Sequence, residues 1–201
     1  MVRSFATRVD ASTHKVEYPD IQDTCKRIGA APTTTKSDGT PLYTLPMIYD
    51  PNTGIALSDS FLIAEYLDKT YPDTPRVIPP RTRALQAAFI VALESKLGAL
   101  FQFLMPKATW ALNKASEAHF RKEGLEMKAE AEFGAINTLL TKEDEFVMGD
   151  TLSFADFALG AILVTSKVLL GEDSEEWKRI ANWHEGRWGK LSQSLEKYAK
   201  V

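Results

Sequence analysis

The sequence predicts an α+β fold in two parts: a small mixed unit over residues 1–72 and an all-helical unit over 83–201. Short apolar runs set between turn residues fill the stretch before residue 70, as strands and a helix of a small sheet domain would. A proline-rich segment, TYPDTPRVIPPRTR at 70–83, then reads as a linker, placed at 73–82. Beyond it the apolar residues recur at helical spacing.

Composition narrows the function classes. The chain has 201 residues, 44% hydrophobic and 25% charged, with a formal net charge of -3. That is ample for a buried core and argues against a basic nucleic-acid surface. No apolar run approaches the roughly 20 residues of a membrane span, and the start lacks the apolar core of a secretory signal, so a cytoplasmic protein is expected. The single cysteine, Cys25, permits no internal disulfide. His14, His119 and His184 are scattered with no zinc-like spacing, so no metal site is expected. No phosphate loop, G-x-S-x-G elbow or internal repeat is present.

The first unit is taken in order. Residues 14–18 read as a short strand, and Pro19 and Asp20 open a helix through about Ile28, with Ile21, Cys25 and Ile28 on one face and Gly29 ending it. Residues 30–41, rich in Thr, Pro, Gly and Ser, read as a loop. The apolar runs 45–49 and 55–57 flank Asp50-Pro51-Asn52-Thr53-Gly54, which predicts a β-hairpin. Pro46 cannot donate to a ladder, so it marks a strand start or an edge, or a cis bond. A helix follows at once: Ser58, Asp59 or Ser60 can cap it, Phe61, Ile63, Ala64, Tyr66 and Leu67 fill one face, and Tyr71-Pro72 stops it. A helix N-terminus offers unpaired N–H groups to a carboxylate, Ser60 adds a hydroxyl, and Asp59 could pair with an ammonium. The plainer reading is a helix cap, and the two can coexist.

An x-Leu-Pro-apolar strand, a hairpin and Asp-Ser opening a helix that ends Ala-x-Tyr-Leu resemble the glutathione-binding half of glutathione transferases. That resemblance implies a thioredoxin-like first domain and an all-α second domain. It implies that Leu45, preceding a cis Pro46, offers backbone hydrogen bonds to the cysteinyl unit of glutathione, and that Asp59 and Ser60 hold its γ-glutamyl end. Lys36 or Thr35 would hold the glycyl end, though a loop lysine is usually just solvated. Strings such as VEYPDI and SDSFLIAEYLD are most similar to the fungal etherase-like (fungal class A) transferases.

The family's first strand and helix should precede His14, and they need roughly 20 or more residues. Residues 1–13 are fewer, so that strand and helix are expected to be reduced, lost or atypical, with residues 4–9 a poor substitute strand. The thiol-activating residue of the family belongs to the same region. Ser4, Thr7, Ser12 and Thr13 are its only hydroxyls and none sits in a matching motif, so the catalytic residue is unassigned. Cys25 lies after the second strand on an apolar face, where an inert buried thiol is the expectation.

In the helical part, residues 84–104 read as one long helix that Pro106 ends or kinks, and 116–140 as a second with Leu125, Phe133, Ile136, Leu139 and Leu140 toward a core. Ser153 and Asp156 have capping-box spacing ahead of the stripe Phe154, Phe157, Ala158, Ala161 and Ile162. The string G-D-x-L-S-x-A-D also resembles the family's second domain, where Asp156 would be structural. Trp177, Ile180, Trp183 and Trp188 mark packing of the last helices. By the resemblance, Phe101, Phe103, Met105 and Trp110 would line a pocket for hydrophobic compounds; core or dimer packing is the equal alternative. The whole implies a homodimeric transferase that conjugates glutathione, as co-substrate, to aromatic electrophiles in detoxification. The rival is a non-catalytic carrier of hydrophobic ligands; cleavage of aryl ethers is a third reading, resting on the subclass alone.

Overall fold

The structure, a computed structural model, describes residues 12–14, 16, 18–36, 38–108 and 125–199. The chain divides into two compact units, the first running to Pro79 and the second spanning Pro80–Lys197. It is an α+β fold, with small sheets before the linker and helices after it.

In the first unit α1 (Ile21–Ile28) is preceded by a 3-10 turn, Tyr18–Asp20, and closed by Gly29 in the left-handed conformation at φ 82°. Glycine adopts that conformation without the steric cost of a Cβ, and it ends the helix where the sequence places the end. The strand expected at 14–18 is not seen: described residues His14 and Val16 are outside any strand, and Tyr18 already turns into the helical lead-in. The segment expected to be loop, 30–41, instead holds half of a small hairpin. Strands β1 (Thr34–Thr35) and β2 (Pro41–Leu42) pair antiparallel, and the turn between them is closed by Asp38 accepting from the Thr40 N–H and hydroxyl. Its polar, turn-forming residues concealed two-residue strands too short for any alternation to register.

The central hairpin forms as expected. Strands β3 (Met47–Asp50) and β4 (Ile55–Ser58) pair antiparallel, with Met47 opposite Ser58 and Asp50 opposite Ile55. Helix α2 (Ser60–Thr70) follows and packs on both strands, burying Ile63 and Ala64. Buried Asp50 locks the turn end: its carboxylate accepts from Tyr66 Oη at 2.5 Å, Tyr71 Oη at 2.6 Å and the Asn52 N–H at 2.9 Å. Ile21, Cys25 and Ala30 form a compact core against which Val16, Ile28, Tyr43, Met47 and Ala56 pack. Among the described residues the strands make two separate two-stranded sheets; residues 4–9, the expected substitute strand, lie outside the described residues.

The second unit is helical: α3 (Arg83–Lys96), α4 (Gly98–Ala108), α5 (Leu125–Asn137), α6 (Phe154–Leu170) and α7 (Glu175–Ala199). The single helix expected over 84–104 is two, bent by 56°. The break falls at fully buried Leu97, and α4 runs through Pro106 to Ala108. At the break α4 opens on Gly98, and Glu132 of α5 accepts from the N–H groups of Ala99 (3.1 Å) and Leu100 (3.4 Å), giving α4 its own N-terminal partner. No single helix is long and apolar enough to cross a membrane among the described residues.

Phe133 and Ile136 of α5 are buried as expected, but Leu139 is 65% exposed, because the helix stops at Asn137 and Leu139 falls in the turn beyond. The α6 start is built as the spacing predicts. Asp156, fully buried, accepts from the Ser153 N–H (2.9 Å), the Ser153 hydroxyl (2.8 Å) and the Val147 N–H (2.7 Å). Buried Gln86 of α3 adds an acceptor for the Ala155 N–H at 2.9 Å. Helix α7 turns a corner at 183–186, where His184, Glu185 and Gly186 are all left-handed (φ 53°, 63° and 78°). The corner brings its two arms together at Gly189, where a Cβ would stand 2.9 Å from the Ala181 carbonyl oxygen. Trp183 and Trp188 are buried there against Phe133, with ring centroids 5.8 and 5.0 Å from it.

Candidate functional site

The hairpin register assembles the site. Because Met47 pairs with Ser58, the residues just before β3 and just after β4 lie at the same end of the ladder. These are Leu45-Pro46, joined by a cis bond, and Asp59-Ser60. Two pairs of residues separated by a whole hairpin in sequence thus share one edge of the first unit.

Leu45 lies outside both neighbouring strands and is 45% exposed. Its N–H and C=O take no hydrogen bond among the described residues. Main-chain groups in folded proteins are nearly all paired, with protein or with water, so an exposed unpaired donor and acceptor at a fixed turn can take a peptide-like ligand. Around that turn, Thr33 and Thr44 share a hydroxyl–hydroxyl bond of 2.8 Å, and Cys25 Sγ donates to Met47 Sδ at 3.2 Å. The Cys25 thiol is fully buried, which fits the inert role expected of it.

Asp59 is the N-cap of α2. Its Oδ1 accepts from the Phe61 N–H at 2.8 Å and the Leu62 N–H at 3.0 Å, while Oδ2 takes no bond among the described residues. Its backbone is at φ 80°, ψ 123°, a region that favours glycine. The two cap bonds that the aspartate makes offset part of that strain. Ser60 is exposed beside it. At the last residue of β4, next to the cap, the Ser58 hydroxyl is buried without a partner among the described residues. In the sequence Ser58 is only one of three possible caps, and nothing local signals its burial.

Lys36 is exposed at the tip of the β1–β2 hairpin, its backbone bonded to Thr40 and Gly39, and no contact ties it to the Leu45 turn or the Asp59 cap. Phe101, Phe103 and Met105 lie on α4 in the second unit; Phe101 is 46% exposed and Phe103 half-buried, while Leu100 and Leu104 carry that helix's buried face. Trp110 lies outside the described residues, as do Ser4 and Thr7. Ser12 and Thr13 are exposed. Among the described residues no group of His, Cys, Asp and Glu is placed to hold a metal ion.

The geometry is that of a two-part α+β chain with an open backbone turn beside an acid-capped helix, and comparison with known proteins gives the family. Residues 84–198 match the family model described as glutathione S-transferase, C-terminal domain. Among solved structures, the glutathione S-transferase CsGST63524 of Ceriporiopsis subvermispora, in complex with glutathione, is 40% identical with a TM-score of 0.87, the match covering 100% of this chain and 89% of that one. CsGST83044 of the same fungus, also in complex with glutathione, is 38% identical over 98% of this chain and 89% of its own, with a TM-score of 0.87. Glutathione transferase GSTFuA3 from Phanerochaete chrysosporium is 36% identical, covering 100% and 89%, again with a TM-score of 0.87. No curated protein sequence matches. The chain belongs to the glutathione S-transferase family, and these structural relatives are fungal.

Proposed function

We propose that this chain binds glutathione at the edge formed by Leu45-Pro46 and Asp59-Ser60 and conjugates it to hydrophobic, aromatic electrophiles. The observation that carries the reading is the hairpin register, which joins an unpaired backbone turn to an acid-capped helix start at one edge. In this reading the Leu45 N–H and C=O hold the cysteinyl unit as a strand would. The free Oδ2 of Asp59 takes the γ-glutamyl ammonium, and the α2 N-terminus with the Ser60 hydroxyl takes its carboxylate. Lys36 supplies a cation for the glycyl end. Glutathione brings the nucleophile, a thiol that reacts as thiolate. Exposed Phe101, with Phe103, Met105 and Trp110, offers the apolar surface for the acceptor. The fungal relatives crystallised with glutathione support the co-substrate, and the fungal class A assignment extends the same likeness.

Two measurements test this. Glutathione at about 100 times its dissociation constant should add about 2.7 kcal/mol, roughly 5–10 °C in melting temperature for a chain of this size. Conjugation of chlorodinitrobenzene above the uncatalysed rate should accompany it. Stabilisation without conjugation would move the assignment to a non-catalytic carrier, and no stabilisation would remove the site. A cytoplasmic homodimer in detoxification completes the reading. Exposed apolar side chains on α3, with Leu85 68% and Val91 66% exposed, support self-association, and light scattering should give twice the chain mass.

A further inference from the structure

We propose that Thr33 is a positioning residue for the Leu45-Pro46 turn, its hydroxyl fixing where that turn presents its backbone. The inference rests on the reading of the turn as a glutathione site. Leu45 and Pro46 belong to neither β2 nor β3, so no ladder bond holds them. What fixes them is their flanks. On the leading side Thr44 bonds Thr33 through the paired hydroxyls at 2.8 Å, and Thr33 is itself held by its N–H, which donates to the Leu42 carbonyl at 2.9 Å. On the trailing side Met47 is held by the Cys25 thiol at 3.2 Å and by packing on the Ile21, Cys25 and Ala30 core. Both anchors come from one continuous stretch, α1 and the segment leaving it.

The two anchors differ in kind. Met47 is a ladder residue packed in the core, and its place survives loss of one sulfur contact. Thr44 has no strand partner, so the Thr33 hydroxyl is its specific tether. A turn whose donor and acceptor must meet a ligand within a few tenths of an ångström is sensitive to such a tether.

The test is glutathione affinity by calorimetry in the wild type, Thr33→Val, Thr33→Ser, Thr44→Val and the Thr33→Val/Thr44→Val pair, each also melted without ligand. Thr33→Val should weaken binding about fivefold, the size of one neutral hydrogen bond. Thr33→Ser, which keeps the hydroxyl, should bind as the wild type does. The double variant should be no weaker than Thr44→Val alone, since one bond is removed either way. A purely structural role would lower the melting temperature and leave affinity untouched. Wild-type affinity in Thr33→Val, or a Thr33→Ser as weak as Thr33→Val, overturns the proposal while the glutathione site stands. A wild type that does not bind glutathione overturns both. Should Thr33→Val not fold, Thr44→Val carries the same expectation: unchanged affinity there overturns it.

Discussion

Asp156 and Asp59 each bond the opening turn of a helix, and they have been put to different uses. Asp156, at the start of α6, is fully buried and both its oxygens are spent on Ser153 and Val147. Asp59, at the start of α2, is half-buried and spends one oxygen on two N–H groups, leaving the other open. The first sits in relaxed surroundings one turn inside its helix; the second holds the cap itself on a strained backbone at φ 80°. The same local signal in sequence, a short polar residue beside an acid, therefore yields a fold determinant in one unit and a candidate ligand contact in the other. What separates them is how much hydrogen-bonding capacity remains after the helix has been capped.

Breaking the buried member should have the largest effect. Asp156→Ala leaves three donors unmatched, two of them buried on Ser153 and one half-buried on Val147, and should cost roughly 3–4 kcal/mol in urea unfolding. Glutathione should add as much stability to a folded fraction of that variant as to the wild type. Asp59→Ala should cost only about 1 kcal/mol, the value of a cap, yet abolish the glutathione-dependent rise in melting temperature. Asp59→Gly sharpens the contrast. Glycine accepts the positive φ and costs only a few tenths of a kcal/mol as a cap, so it should be as stable as the wild type and still fail to respond to glutathione. A glycine variant that responds normally would remove Asp59 from the site.

The comparison extends to proton linkage. Burial pushes the His184 imidazole below its ordinary value of 6.5, helped by Arg187 and opposed by Glu130. Its Nδ1 accepts the Trp188 indole N–H at 2.9 Å, which requires that nitrogen to be unprotonated. Below pH 6.5 the unfolded chain takes up a proton that the folded chain resists, so stability should fall as pH drops from 7.5 toward 5.5. His184→Asn keeps an acceptor and tolerates the left-handed backbone, and should flatten that part of the profile. In the first unit, hydrogen bonds from Tyr66 and then Tyr71 hold the Asp50 carboxyl below its ordinary 3.8. Its contribution is present above that value and lost as pH falls below it, so Asp50→Asn should lessen only the steep acid end of a melting profile. This is the smallest effect of the set.

Features set by near neighbours were legible in the sequence: a hairpin around 50–54, the Gly29 stop, a helix start among Ser58, Asp59 and Ser60, and the Ser153 capping box; the strand read from 45 begins only at Met47. Each depends on residues within a few positions of one another, where turn and capping chemistry speaks directly. Illegible features are those whose partners are remote. The Ala155 N–H finds Gln86 across 69 positions, and nothing in a buried glutamine announces which amide it will serve. The Thr33–Thr44 tether crosses what read as a loop. The α7 corner was hidden because Trp177, Ile180 and Trp188 keep a helical spacing although the backbone at 183–186 does not. The candidate site divides the same way: the Leu45-Pro46 and Asp59-Ser60 pairs were visible in the sequence, and the Thr33–Thr44 bond beside them was not.

Glu132 shows what remote specification means for a chain made from one end. The N-terminus of α4 is capped by a residue 33 positions downstream of Ala99. Until residue 132 arrives, the stretch 83–104 has only Gly98 to divide it, and if Glu132 sets the bend, an isolated peptide of that stretch should be straighter and more helical by circular dichroism than the bent pair. A peptide as divided as the native pair would show that Leu97 and Gly98 suffice. Otherwise the elbow is a late edit to a message already emitted, and its author is a single carboxylate.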